Sequence, residues 1–308
     1  MLNFRASVKR IMLFVAMAIA AFSARAEVTI HHAMGTTVLN DTPKRIVTLF
    51  QGATDATVAL GITPVGVVDS WVEQPMYEYL REPLKGVPHV GLETQPNLEE
   101  IAKLKPDLII AAKLRHEKIY PQLSQIAPTI ALETVYKFKE TLHMTGMATG
   151  RRQQAQTWLA DWDARVARFS NAVSRNPDIQ WPQKVALLNF RSDHARIYYN
   201  SFAGLILNEL GFSRPPAHRE NIWGVKLTSQ ESIPSMNADV FFIFMTETDP
   251  AVKQTYQQWT QHPLWKTLDA VKQQHVYEVN EVDWNMGGGP LAASRMLDSI
   301  FKHYQLSE

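Results

Sequence analysis

The chain has no cysteine among its 308 residues. That excludes disulfides and every metal site built on thiolates. It also excludes a lipid anchor at a processed N-terminus, which needs a cysteine at the cut. Long apolar runs are scarce as well. One runs from Ile11 to about Phe22, and nothing of bilayer-spanning length follows residue 26; a spanning helix needs about 20 such residues. The run lies behind Arg5, Lys9 and Arg10 and ahead of Ala24-Arg25-Ala26. A basic start, a short apolar stretch and small residues at −3 and −1 read as a secretory signal peptide over residues 1–26.

Charge of one sign is lacking too. Removing Arg5, Lys9, Arg10 and Arg25 leaves 27 basic residues (31 − 4) against 30 acidic ones, a net charge of −3. Such a surface has no electrostatic footprint for nucleic acid. Catalytic signatures are missing: no G-x-S-x-G, no Walker A loop, no G-x-G-x-x-G and no H-E-x-x-H. Neither an enzyme nor a resident cofactor is expected. Gly287-Gly288-Gly289 ahead of Pro290 could cradle an anion at a helix start or simply supply positive φ. His31-His32 reads as a solvated strand, while His116, His194 and His218 fall in segments assigned to a cleft.

What the chain does contain is alternation. Apolar strand-like runs at Arg45–Phe50, Pro64–Val68, Leu108–Ala112 and Thr129–Leu132 are separated by helical spacings. Asn97, followed by Glu100 at the third helical position, forms a capping box. From about Phe138 to Ser174 the only strong breakers are Gly146 and Gly150, so this is one long helix or two joined end to end. Alternation then resumes with strands at Val185–Phe190, Arg196–Tyr199, Val240–Phe244 and Val276–Val279. Continuous apolar strands between helices imply a parallel sheet covered on both faces. The halves echo each other: shifted by 132 residues, Glu99, Ile101, Leu104, Asp107 and Leu108 fall on Glu231, Ile233, Met236, Asp239 and Val240. The expected fold is α/β, with two Rossmann-like lobes (27–137 and 176–308) joined by one long bridging helix over 138–175. A ligand is expected between the lobes.

Arginine and tryptophan are the informative site candidates. Arg115 follows a buried strand at its carboxyl end, where α/β folds place ligands, and Trp71 follows another. Arg191 and Arg196 flank a tight turn, and Trp223 and Trp284 lie in loops. Guanidinium forks with aromatic walls suit a large anionic ligand.

Thr42-Pro43-Lys44-Arg45-Ile46-Val47, Pro96-Asn97-Leu98-Glu99-Glu100-Ile101, Leu104-Lys105-Pro106-Asp107-Leu108-Ile109 and Pro263-Leu264-Trp265, in that order, resemble the siderophore and cobalamin periplasmic-binding proteins of ABC importers. Within that family, Leu49–Asp55, Val68-Asp69-Ser70-Trp71, the Arg115 and Arg191/Arg196 segments and Trp284-Asn285 are similar to receptors for citrate-based siderophores such as staphyloferrin B, schizokinen and aerobactin. The resemblance implies a ferric siderophore as ligand, in particular a citrate–hydroxamate such as ferric aerobactin. Its receptor would be a periplasmic monomer that delivers it to an inner-membrane permease. Haem, cobalamin or a bare metal ion are the alternative cargoes. The resemblance places Arg115, Arg191, Arg196, Tyr198, Trp71, Trp223, Trp284 and Gln51 at the ligand, and makes Glu99 and Glu231 the permease-docking pair. The motif departs at Val90-Gly91-Leu92-Glu93, where ferrichrome and ferric-citrate receptors often carry Arg; the acid weakens both of those readings.

Overall fold

The computed structural model describes residues 27–246 and 248–307. The signal-peptide reading over 1–26 lies outside them. β1 (Val28–His32) and β2 (Gly35–Leu39) form an antiparallel hairpin. A six-stranded sheet follows, built from β3 (Ile46–Thr48), β4 (Gly66–Asp69), β5 (His89–Leu92), β6 (Gln95–Pro96), β7 (Leu108–Ala112) and β8 (Thr129–Leu132) in the order β6-β5-β4-β3-β7-β8. Only the β5–β6 pairing is antiparallel. Every residue of β3, β7 and β8 is buried, as expected for strands covered on both faces.

The second sheet contains β9 (Val185–Phe190), β10 (Ala195–Tyr198), β11 (Gly224–Leu227), β12 (Val240–Met245) and β13 (Val276–Glu278), in the order β11-β10-β9-β12-β13. β9, β12 and β13 run parallel, and β10 and β11 extend the sheet as an antiparallel edge.

The echo between the halves has a structural basis. The Asp107 carboxylate accepts hydrogen bonds from the backbone N–H groups of Lys44 and Arg45 at 2.9 and 2.8 Å, fixing the start of β3 beside β7. The Asp239 carboxylate accepts from the Lys184 N–H at 2.7 Å, doing the same for β9 beside β12. Upstream, Asn97 and Ser229 each cap a helical turn by accepting from the N–H of Glu99 and Glu231.

The segment 138–175 is neither one helix nor two joined end to end. Helix Phe138–Ala148 stops at Gly150, whose φ of +70° is the left-handed conformation of a helix C-terminus, and the Arg151 N–H donates back to the Gly146 carbonyl at 2.8 Å. The chain then folds back. Phe138 packs edge-on against Trp162 and Trp158, with ring centroids 5.0 and 5.9 Å apart. The 24-residue second arm, Arg152–Arg175, is the long bridge. Its Ala155 packs with Ala56 and Leu60 of the first lobe, and its Phe169 and Val173 enter the core of the second.

A second connection runs from the C-terminal helix, Pro290–His303. Its body belongs to the second lobe's core, while the N–H groups of Leu291 and Ala292 donate to the Asp55 carboxylate at 2.7 and 3.0 Å. The three glycines thus serve an internal contact. Gly288 has a φ of +66°, and a Cβ on Gly289 would stand 2.4 Å from that of Asp55. The acceptor at this helix start is Asp55 itself. Burial raises its pKa from 3.8 to about 7, against the pull of those N–H groups and the Tyr79 hydroxyl.

Candidate ligand-binding cleft

The carboxyl ends of the parallel strands of both sheets face one cavity of about 290 Å³, near the lower end of the range for small-molecule sites. Each wall follows from strand position. Gln51 comes just after β3, Trp71 after β4, Glu93 after β5, Arg115 after β7 and Tyr136 after β8; Arg191 comes after β9 and Asn285 lies beyond β13. β10 delivers Arg196 and Tyr198, and Trp223 sits at the start of its partner β11.

The walls are built alike. In the first lobe the Arg115 guanidinium lies 5.9 Å from the Trp71 ring. In the second, Arg196 lies 5.6 Å from the Trp223 ring. Both indoles are 43% exposed, large apolar surfaces that a ligand can cover. Trp223 also stands edge-on to Tyr198 at 4.2 Å.

The supports beneath the arginines differ. Arg115 Nε donates to the buried carboxylate of Glu93 at 3.1 Å. Glu93 also accepts from the Gln51 N–H at 3.2 Å and the Trp71 indole at 3.4 Å. Burial raises the Glu93 pKa, and Arg115 and these donors oppose the rise. Arg196 Nε instead donates to Nε2 of His194 at 2.9 Å, so that nitrogen carries no proton. Arg191 faces the buried Glu281 carboxylate at 3.7 Å, beyond hydrogen-bonding distance. One Glu281 oxygen accepts from the Thr246 hydroxyl at 2.8 Å and the other has no hydrogen-bond partner. Burial raises its pKa as well. The Gln51 side chain donates to the Asp69 carbonyl at 2.8 Å and leaves its own buried oxygen unpartnered.

Seven of the eight residues that the sequence placed at the ligand line this cavity: Gln51, Trp71, Arg115, Arg191, Arg196, Tyr198 and Trp223. Trp284 does not. It is 1% exposed, packs on Phe242 at a centroid distance of 4.5 Å and donates its indole N–H to Ser299. The π-helical turn Val282–Met286 directs it into the core, and its neighbours Asn285 and Met286 take the cleft wall. Glu93, Tyr136 and Ser201 also line the cavity, and Glu281 stands against Arg191; none of the four was among the residues expected at the ligand. Glu93 was visible in the sequence only as a departure from a motif.

The three histidines have structural partners. His116 is buried, accepting from the Ala112 N–H and donating to the Glu93 carbonyl. His194 supports Arg196, and His218 stacks on Tyr199 and donates to the Ser235 carbonyl. Among the described residues no three His, Cys, Asp or Glu side chains gather to hold a metal ion, and no helix is long and apolar enough to cross a membrane. Glu99 and Glu231 are both exposed, outside the cleft.

Residues 46–282 match the family described as periplasmic binding protein. The chain belongs to that family. It is a family of binding proteins rather than enzymes, which accords with a cleft built of charges and aromatic walls. The achromobactin-binding periplasmic protein of Dickeya dadantii is 49% identical over 260 residues, 84% of this chain and 85% of that one. A probable siderophore-binding lipoprotein of Bacillus subtilis, YfiY, is 43% identical over 90% of this chain and 87% of its own length. The crystal structure of Staphylococcus aureus SirA complexed with staphyloferrin B superposes with a TM-score of 0.87 at 45% identity, covering 91% of this chain and 99% of that one. The two-lobed α/β architecture expected of the family is the one described above.

Proposed function

We propose that this protein binds a ferric siderophore of the citrate-based, carboxylate-bearing class between its lobes, and hands it to an ABC permease of the inner membrane from the periplasm. One observation carries the reading: Arg115 from one lobe and Arg191 and Arg196 from the other converge on a single cavity, two of them beside exposed tryptophans. Guanidinium forks take carboxylates, and aromatic walls take the organic scaffold. The siderophore supplies the iron ligands, so the protein needs none. The names of the relatives, which bind achromobactin and staphyloferrin B, support the same class. Ferric aerobactin, a mixed citrate–hydroxamate, lies within the set. A bare-ion cargo finds no donor cluster among the described residues. The exposed Glu99 and Glu231, at matching places in the two lobes, suit a pair of permease contacts.

The test is a fluorescence titration of the purified protein with ferric achromobactin, ferric staphyloferrin B, ferric aerobactin, ferrichrome and haem. Trp71 and Trp223 report occupancy directly. Saturable quenching by one or more of the first three, with none by ferrichrome or haem, is the expected outcome. Quenching by haem or ferrichrome alone overturns the class.

A further inference from the structure

Two of the three cleft arginines face buried carboxylates, one on each side of the cleft. Glu93 is 4% exposed and holds Arg115 Nε at 3.1 Å; Glu281 is 8% exposed and lies 3.7 Å from Arg191. A receptor that needed only positive charge would be better served by neutral supports, such as the His194 beneath Arg196. Buried acids beside the binding arginines cancel part of the charge that attracts the ligand. Their placement makes sense if their own charge can be removed.

We propose that Glu93 and Glu281 are specificity-determining residues that take up protons as an anionic ligand seats on Arg115 and Arg191. The inference rests on the proposed function and deepens it. In the empty cleft each carboxylate is stabilised by its guanidinium. When ligand carboxylates engage those guanidiniums, they bring negative charge beside Glu93 and Glu281 and remove water from both. Both effects favour the protonated acid. The proton comes from solvent, and the acid remains as a neutral hydrogen-bonding partner of the bound arginine. A neutral ligand brings no such charge and draws in no proton, so the pair sets a ligand-charge preference that strengthens as the medium acidifies.

The surroundings leave the two acids free to act this way. Glu93 is faced by Arg115, the Trp71 indole, the Gln51 N–H at the start of helix Gln51–Ala59, and the buried Tyr77 phenol. Glu281 is faced by Arg191, the Thr246 hydroxyl, Tyr198 and, again, Tyr77. Its Oε1 has no hydrogen-bond partner and lies 3.7 Å from Arg191. The neighbouring Asp283 is occupied by Arg295 at 2.7 Å. The groups already lean toward protonation, since burial raises both carboxylates above their ordinary range. The nearby imidazoles are His194, under Arg196, and His89, paired with Asp69 at 2.8 Å.

The experiment is calorimetric titration of the wild-type protein with ferric staphyloferrin B or ferric achromobactin between pH 6 and 8, in buffers of differing ionisation heat. Net proton uptake is expected, with affinity rising up to about tenfold per pH unit for each proton bound. Glu93→Gln and Glu281→Gln are each expected to reduce the uptake and flatten the pH profile, while His89→Asn leaves it in place. Near-ultraviolet circular dichroism checks that the variants are folded, and the wild-type proton count stands without them. Binding with no proton uptake overturns the inference while the proposed function survives. So does a profile flattened only by His89→Asn. If neither ligand binds and ferric aerobactin does not either, the proposed function itself falls.

Discussion

The two walls of the cleft present the same pair, an arginine beside a tryptophan, on different foundations. In the first lobe the foundation is a buried acid: Glu93 ties together Arg115, Trp71 and the start of helix Gln51–Ala59. In the second, Arg196 rests on an unprotonated imidazole nitrogen, and Glu281 stands off from Arg191 at 3.7 Å. The first wall is tied together by hydrogen bonds and nearly charge-compensated. The second carries two arginines against one loosely placed acid, so it provides more of the attraction. The cause is topological. After β3 the first lobe crosses over through a helix, whereas β9 of the second turns straight back into β10, which brings two arginines to one hairpin.

Removing the second wall's charge tests that difference most severely. The Arg191→Ala/Arg196→Ala double variant is expected to lose about 1,000-fold or more in ferric siderophore affinity, since each arginine that pairs with a ligand carboxylate contributes roughly 2 kcal/mol or more. Its melting temperature should move less than that of Arg115→Ala, because Arg191 stands 3.7 Å from Glu281 rather than in a hydrogen-bonded ion pair. Arg115→Ala should behave differently. It is expected to lower affinity by roughly tenfold or more and also to destabilise the fold by about 1–3 kcal/mol, by leaving Glu93 buried without its guanidinium; urea denaturation measures it. Equal stability of the two variants would break the comparison.

Smaller effects sharpen it. Trp223→Ala removes a ligand wall and a ring contact to Tyr198, so it should cost more affinity than Trp71→Ala, each in the range of about three- to tenfold. Parallel titrations decide the order. Away from the cleft, Asp55 predicts a pH dependence of stability. Its folded pKa is about 7 against an ordinary 3.8. Between those values the native state keeps a proton that the unfolded chain has released, so stability falls as pH rises through the window. Asp55→Asn should show a shallower loss than wild type in melting temperatures compared at pH 5 and pH 8.

Much of this was legible in the sequence, for identifiable reasons. β7, β9 and β12 are continuous apolar runs that admit few other readings. Arg115 was found by its place after a buried strand, and Arg191 and Arg196 by the turn between two strands. Asp107 and Asp239 marked the repeat because each does one local task. The failures share a different logic. Trp284 stands between Asp283 and Asn285, a polar setting that suggests a loop facing solvent, and only the π-helical turn sends it inward. Gly150 announced a helix end but not the reversal, which is decided by Phe138 meeting Trp162 across 24 residues. Glu93 looked like a defect in a motif because its partner lies 22 residues further along.

The contact between Asp55 and the last helix also bears on the order of assembly. Residue 55 waits for residues 291 and 292, a separation of more than 230 positions. A chain growing from its N-terminus can lay down the first sheet early, yet the helix that clamps it arrives more than 230 residues later. Native contacts of such long range are slow to form. The first lobe therefore stays incomplete until residues 291 and 292 are available, and truncation after residue 289 should leave two unfinished lobes rather than one finished and one missing.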